Sequence, residues 1–153
     1  MTLMKKEIWF DMDGTIADLY SVEGWLDCLM NEDVRPYAEA ATMLNFSLLA
    51  RLLNMLQAKG WKLGVISWTS KGGSEMYNLA VETTKRIWLA KHLPSVEWDE
   101  IKVVRYGTNK YQTCGGGILF DDEEGNRNAW GDEAYEPQYI VEILKRLVKS
   151  GIV

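Results

Sequence analysis

Histidine and cysteine are scarce in this chain of 153 residues: His92 is the one histidine, and Cys28 and Cys114 are the two cysteines. That scarcity excludes a disulfide framework and a four-ligand Cys/His zinc site. Positive charge is not in excess either. Seventeen Lys and Arg stand against 22 Asp and Glu, a formal net charge of -5. This excludes a basic coat for nucleic acid, though not a protein that grips one phosphate locally. No apolar run reaches the ~18 residues that a membrane span needs. The start, Met1 to Asp11, lacks the apolar stretch of a signal peptide. Internal repeats, low-complexity tracts and linkers are missing too. What remains is an ordinary globular balance, 47% hydrophobic and 25% charged. The expectation is a single domain over residues 1–153, soluble and cytoplasmic.

Short apolar runs alternate with helical spacings along the chain. Ile8-Trp9-Phe10 reads as a strand closed by Asp11-Met12-Asp13-Gly14-Thr15. Val22, Trp25, Leu26, Leu29 and Met30 are apolar at helical spacing, with Cys28 packed on that face, and Arg35-Pro36 is expected to end the stretch. Leu48, Leu49, Leu52, Leu53 and Leu56 make a second helix, stopped at Lys59-Gly60. A buried strand follows at 62–67, then a loop at 70–73 and a helix from Ser74 toward Leu93-Pro94. Ile101–Val104 and Gly117–Phe120 are further strands, and Pro137 opens a last helix through Val148. Ala134-Tyr135 offers only two residues toward a fifth strand. This alternation predicts an α/β fold, a Rossmann-like three-layer α/β/α sandwich around a mainly parallel sheet. Ligands in such sheets bind beyond the carboxyl ends of the strands. Asp11, Ser67 and Asp121 each close an apolar strand core, so all three should meet at one edge.

Asp11 and Asp13, two residues apart at a strand end, can face one ligand. A carboxylate can attack phosphorus and form an acyl phosphate, dividing one hard hydrolysis into two easier steps. Charge opposes this: like unit charges at ~4 Å repel by about 4 kcal/mol at an effective dielectric of 20. A divalent cation removes the penalty, and carboxylate and carbonyl oxygens suit Mg2+.

The run Asp11-Met12-Asp13-Gly14-Thr15 resembles the first motif of the haloacid-dehalogenase-like phosphatases, and later residues follow that family's motif order. The resemblance implies Asp11 as nucleophile and metal ligand. It implies Asp13 as general acid and then base, with its backbone carbonyl on the metal. Gly14 would permit the sharp turn beside the phosphate, and Thr15 would brace it. Ser67, in Val65-Ile66-Ser67-Trp68-Thr69, matches the second motif, a hydroxyl donor to a phosphoryl oxygen; Trp68 and Thr69 follow it toward the substrate. Lys110 is favoured as the third-motif lysine over Lys102, which should point away from the edge, and Lys71, a possible substrate contact. Asp121 and Asp122 match the fourth motif and complete the metal site, Asp122 as the direct ligand and Asn126 in the outer shell. Response-regulator receivers share this chemistry but place the acidic pair first; here it comes last.

Spacing leaves no room for a large cap, only a short cap-like segment around residues 20–45. That resembles small, nearly capless members such as magnesium-dependent phosphatase and polynucleotide phosphatase domains. The implied activity is Mg2+-dependent phosphomonoester hydrolysis through an aspartyl-phosphate on Asp11. The substrate stays open between a nucleotide, a nucleic-acid end, a sugar phosphate and a phosphoprotein, with a small-molecule phosphoester favoured. Two alternatives remain: a non-catalytic phosphate-ligand or partner-binding module on the same fold, and a phosphotransferase. No membrane partner is expected. Exposed aromatics leave room for an oligomer whose surface the sequence does not locate. Cys114 is read as exposed but unactivated, and His92 as interacting with a helix dipole.

Overall fold

A computed structural model describes residues 5–150. Its strands, in chain order, are β1 (Glu7–Phe10), β2 (Ala17–Asp18), β3 (Ala41–Thr42), β4 (Lys62–Trp68), β5 (Glu100–Val104), β6 (Ile118–Phe120) and β7 (Ala134–Tyr135). Its helices are α1 (Trp25–Met30), α2 (Arg35–Glu39), α3 (Phe46–Ala58), α4 (Glu75–His92), α5 (Lys110–Cys114), α6 (Glu124–Trp130) and α7 (Ile140–Ser150). The main sheet runs β5-β4-β1-β6-β7, with every neighbouring pair parallel.

The pleat divides β1 between two cores. Ile8 and Phe10 pack with Leu63, Val65 and Phe120 against the leucines of α3, Trp88 and Leu89 of α4, and Ile140 and Leu144 of α7. Trp9 faces the other way, with Ile66, Leu119 and Trp130 of α6. Helices therefore cover both faces, and the architecture is the three-layer α/β/α sandwich expected from the alternating pattern. Leu49, Leu52, Leu53 and Leu56 make α3 amphipathic, and Asn45 caps it by accepting from the Leu48 N–H. Burying each leucine contributes roughly 1.5–3 kcal/mol.

After β1 the chain builds β4 and β5 on one side, then crosses to build β6 and β7 on the other. The carboxyl end of β1 is thus the place where the connections diverge and a crevice opens.

Of the 20–45 stretch, residues 20–40 lie within an excursion that β2 and β3 close by antiparallel pairing, Ala17 opposite Thr42, while Asn45 already caps α3. It contains a 3-10 helix at Leu19–Ser21, then α1 and α2. Two expectations fail here. The helix expected from Val22 starts only at Trp25, after Gly24 in the left-handed region, and buries none of its residues. Leu26 is 53% and Met30 74% exposed, because this face borders the crevice rather than the sheet. Cys28 is accordingly half-buried, with the Arg35 Nη2 donating to its Sγ at 3.1 Å. Pro36, expected to end a helix, sits instead in the first turn of α2, where its missing N–H costs no hydrogen bond.

Ala134-Tyr135 does form a strand, parallel to β6. The short helices α5 and α6 have no counterpart in the sequence reading, since five and seven residues scarcely express a helical period.

Candidate active site

Asp11 directly follows β1, and its N–H donates to the Phe120 carbonyl at 2.9 Å, fixing it at the sheet edge. Its carboxylate is held from two sides. Thr15 Oγ1 donates to Oδ2 at 3.1 Å, and Lys110 Nζ donates to Oδ1 at 3.0 Å. Lys110 also donates to Asp121 Oδ2 at 2.7 Å. Its position comes from α5, which Asn109 caps by accepting from the Gln112 N–H. Burial works against the ammonium, but Asp11 and Asp121 outweigh it and raise the lysine above its ordinary range, so the charge is permanent.

The turn after Asp11 is tied at Met12, whose carbonyl accepts from the N–H groups of Thr15, Ile16 and Ala17. Gly14 lies at φ +79°, and a Cβ there would collide with the Asp122 carboxylate. The backbone needs glycine both for that dihedral and for the closeness of Asp122.

Asp13 points to a different partner. Its Oδ2 accepts from Lys85 Nζ at 2.9 Å, and the same ammonium donates to Ser67 Oγ and the Trp68 carbonyl, each at 2.7 Å. Burial raises Asp13 above the usual carboxylate range; Lys85 opposes this and the Asp11 charge adds to it. The result is a carboxyl that holds a proton more readily than a free aspartate and has a fixed orientation.

One oxygen from each of Asp11, Asp121 and Asp122 gathers within 4.8 Å. Burial and the Asp11 charge push Asp121 up to about 6, against the pull of Lys110. Burial, Asp11 and Asp121 together push Asp122 up to about 8. Such clustered negative charge calls for a cation, and three carboxylate oxygens form a hard donor set that fits Mg2+. The Asp13 carboxylate is not part of this cluster, leaving its backbone carbonyl as the contribution the resemblance implies. Asn126 Nδ2 donates to Asp121 Oδ2 at 3.1 Å, an outer position.

A cavity of about 370 Å³ opens over these groups, with Asp11, Asp13, Lys110 and Asp122 at its polar end. Trp68, Thr69 and Lys71 also line it. Thr69 Oγ1 is buried with no hydrogen-bond partner among the described residues. Ser67 differs: it lies inside β4, is fully buried beneath Lys85, and does not line the cavity. Gly14 and Thr15 shape the turn behind the cavity. Lys102 points elsewhere, donating to the Thr113 carbonyl at 3.0 Å. Cys114, expected to be exposed, is half-buried, and burial pushes its thiol up to about 12, which leaves it unreactive. His92 lies against Trp88 and Phe46 at the end of α4.

Lys85 is the site residue the sequence reading missed. A signal was present: Tyr77, Val81, Lys85 and Trp88 recur at four, four and three residues along α4, and all four are buried. A lysine in phase with a buried stripe has its charge inside the molecule, and something there must accept it.

No protein-family model and no curated protein matches the chain. Solved structures do. D,D-heptose 1,7-bisphosphate phosphatase from Burkholderia thailandensis superimposes with a TM-score of 0.58, covering 95% of this chain and 99% of that one at 14% identity. The B. bronchiseptica enzyme of the same name, complexed with magnesium and phosphate, gives a TM-score of 0.57 over 97% and 100% at 13% identity. The chain shares the fold of these two phosphatases. The likeness spans nearly the whole of both proteins, and identities this low make it a statement about fold; function rests on the site residues themselves.

Proposed function

We propose that the protein is a magnesium-dependent phosphomonoester hydrolase that forms an aspartyl-phosphate on Asp11. The observation that carries this reading is the division of labour between the two aspartates. Asp11 is ion-paired with Lys110 and stands beside the Asp121–Asp122 cluster, whereas Asp13 is half-buried, raised and turned onto Lys85. Carboxylates set in contrasting environments are suited to nucleophile and proton-carrier roles.

Asp11 attacks phosphorus, and the bond from phosphorus to the ester oxygen breaks. Asp13 gives its proton to that leaving oxygen. The carboxylate so formed then removes a proton from water, which attacks the aspartyl-phosphate, releases inorganic phosphate and regenerates Asp11. Lys110 balances charge on the phosphoryl oxygens, and the Thr69 hydroxyl is free to donate to one of them. Bound at Asp11, Asp121 and Asp122, Mg2+ would supply charge neutralisation where the dianion meets the carboxylates.

Hydrolysis of p-nitrophenyl phosphate with and without Mg2+, alongside Asp11→Asn, tests this reading. Release that requires Mg2+ and is lost in a folded Asp11→Asn protein is expected. Substantial activity in that variant would discard the mechanism.

A further inference from the structure

Away from its carboxylates the cavity changes character. Trp68, at the end of β4, lies 4.8 Å from Tyr106 between ring centroids. Trp25, Leu26 and Met30 reach the same cavity from α1. Tyr106 is 47% exposed, Leu26 53% and Met30 74%, so these large side chains meet water at the mouth of a site built to receive a ligand. The polar groups lie to one side: Asn126 donates to Asp121 and Glu123, Thr69 lines the cavity alongside the carboxylates, and the Lys71 ammonium is 5.8 Å over the Tyr106 ring. A polyhydroxylated leaving group would set its hydroxyls against this apolar rim, where indole, aliphatic and thioether faces offer few hydrogen bonds. A flat aromatic ring would instead bury the exposed apolar surface and stack on indole and phenol. A cavity of about 370 Å³ falls within the size range of small-molecule sites.

We infer that the phosphoester this protein selects carries a planar aromatic ring in its leaving group, received by Trp68 and Tyr106 together with Trp25, Leu26 and Met30. This inference rests on the phosphatase reading above and adds the substrate class. Two sources supply such a group, a nucleobase or another aryl ring, and they share this stacking chemistry.

Matched pairs with the same kind of leaving oxygen test it. The first pair is a nucleoside 5′-monophosphate and ribose 5-phosphate; the second is 2-phenylethyl phosphate and ethyl phosphate. With Mg2+ present, kcat/KM should favour the ring-bearing member of at least one pair about tenfold or more, as base–aromatic stacking allows. A preference in the first pair alone identifies a nucleobase; one in both, or in the second alone, identifies a general aromatic site. Trp25→Ala and Tyr106→Ala should each lower the preference in the proteins whose folding is verified by circular dichroism. Ratios near one in both pairs, or ratios untouched by either variant, would overturn the inference while leaving the phosphatase reading intact. Absence of Mg2+-dependent turnover with all four substrates would overturn both.

Discussion

Lys85 shares one ammonium among Asp13, Ser67 and the Trp68 carbonyl, and its side chain is 1% exposed. Lys85→Met would keep the length of the side chain and leave a half-buried carboxylate without its counter-charge. Breaking a fully buried pair from one side costs about 3–5 kcal/mol, so urea unfolding should show a loss toward the lower end of that range. Asp13→Asn makes a different demand: the amide keeps the shape but can neither give nor take the proton. Its kcat should fall by about 10²–10⁴-fold, the usual contribution of a positioned acid or base, with the fold preserved. An Asp13→Asn protein with unaltered kcat would remove Asp13 from the reaction. At this scale the sequence was legible at three strand ends but not at Ser67, which lies one residue inside β4 and is fully buried. Asp11, Lys110, Asp121 and Asp122 converge because each stands at or just beyond the carboxyl-terminal side of the sheet. Lys85 was not legible as a single residue, because a lysine on a helix ordinarily reaches water, and only its phase with Val81 and Trp88 betrays it.

The excursion between β2 and β3 is tied to the rest of the molecule at a few points. Glu32, at φ +55°, accepts from the Ser74 N–H at 2.9 Å and from Ser74 Oγ at 2.7 Å, joining the end of α1 to the start of α4. Glu32→Ala removes both acceptors, and amide exchange across residues 19–39 should quicken while α3 and α7 stay protected. Unchanged exchange in that stretch would mean that the packing of Tyr37 on Tyr77 and Val81 holds it without help. Gly14→Ala belongs to this scale too, because it would force the turn after β1 away from φ +79° and drive a methyl group at Asp122. A loss of about 1–3 kcal/mol is expected for such a strained position, readable as a lower urea midpoint. The main-sheet strands and the long helices were legible as elements because their faces are buried against the sheet and repeat regularly, whereas the two-residue strands β2 and β3 carry no such pattern. The helix around Trp25 was misread because its apolar face turns toward the cavity, and apolar spacing does not say what lies opposite. Pro36 was misread for a related reason: proline stops one helix or starts another depending on backbone that tertiary contacts decide.

Over the whole molecule, negative charge is densest where three carboxylates crowd beneath the cavity. Asp121 and Asp122 rise from an ordinary 3.8 to about 6 and about 8 in the folded, metal-free protein. Between those limits the folded state binds more protons than the unfolded chain, so stability is greatest at the acidic end and falls as pH rises. Thermal melts without metal should therefore show Tm decreasing from about pH 5 to about pH 8. Millimolar Mg2+ should raise Tm most at the alkaline end, because the cation competes with those protons. A Tm indifferent to Mg2+ throughout would speak against a cation at this cluster. The central claim is more specific still, that Asp11 carries the phosphoryl group. The most direct measurement is to quench the protein with acid during turnover of a phosphomonoester, reduce it with borohydride and map it by mass spectrometry. The account predicts homoserine at position 11, the product of reducing an aspartyl-phosphate. Turnover with no modification there, or a phosphoryl group trapped on a different residue, would contradict it.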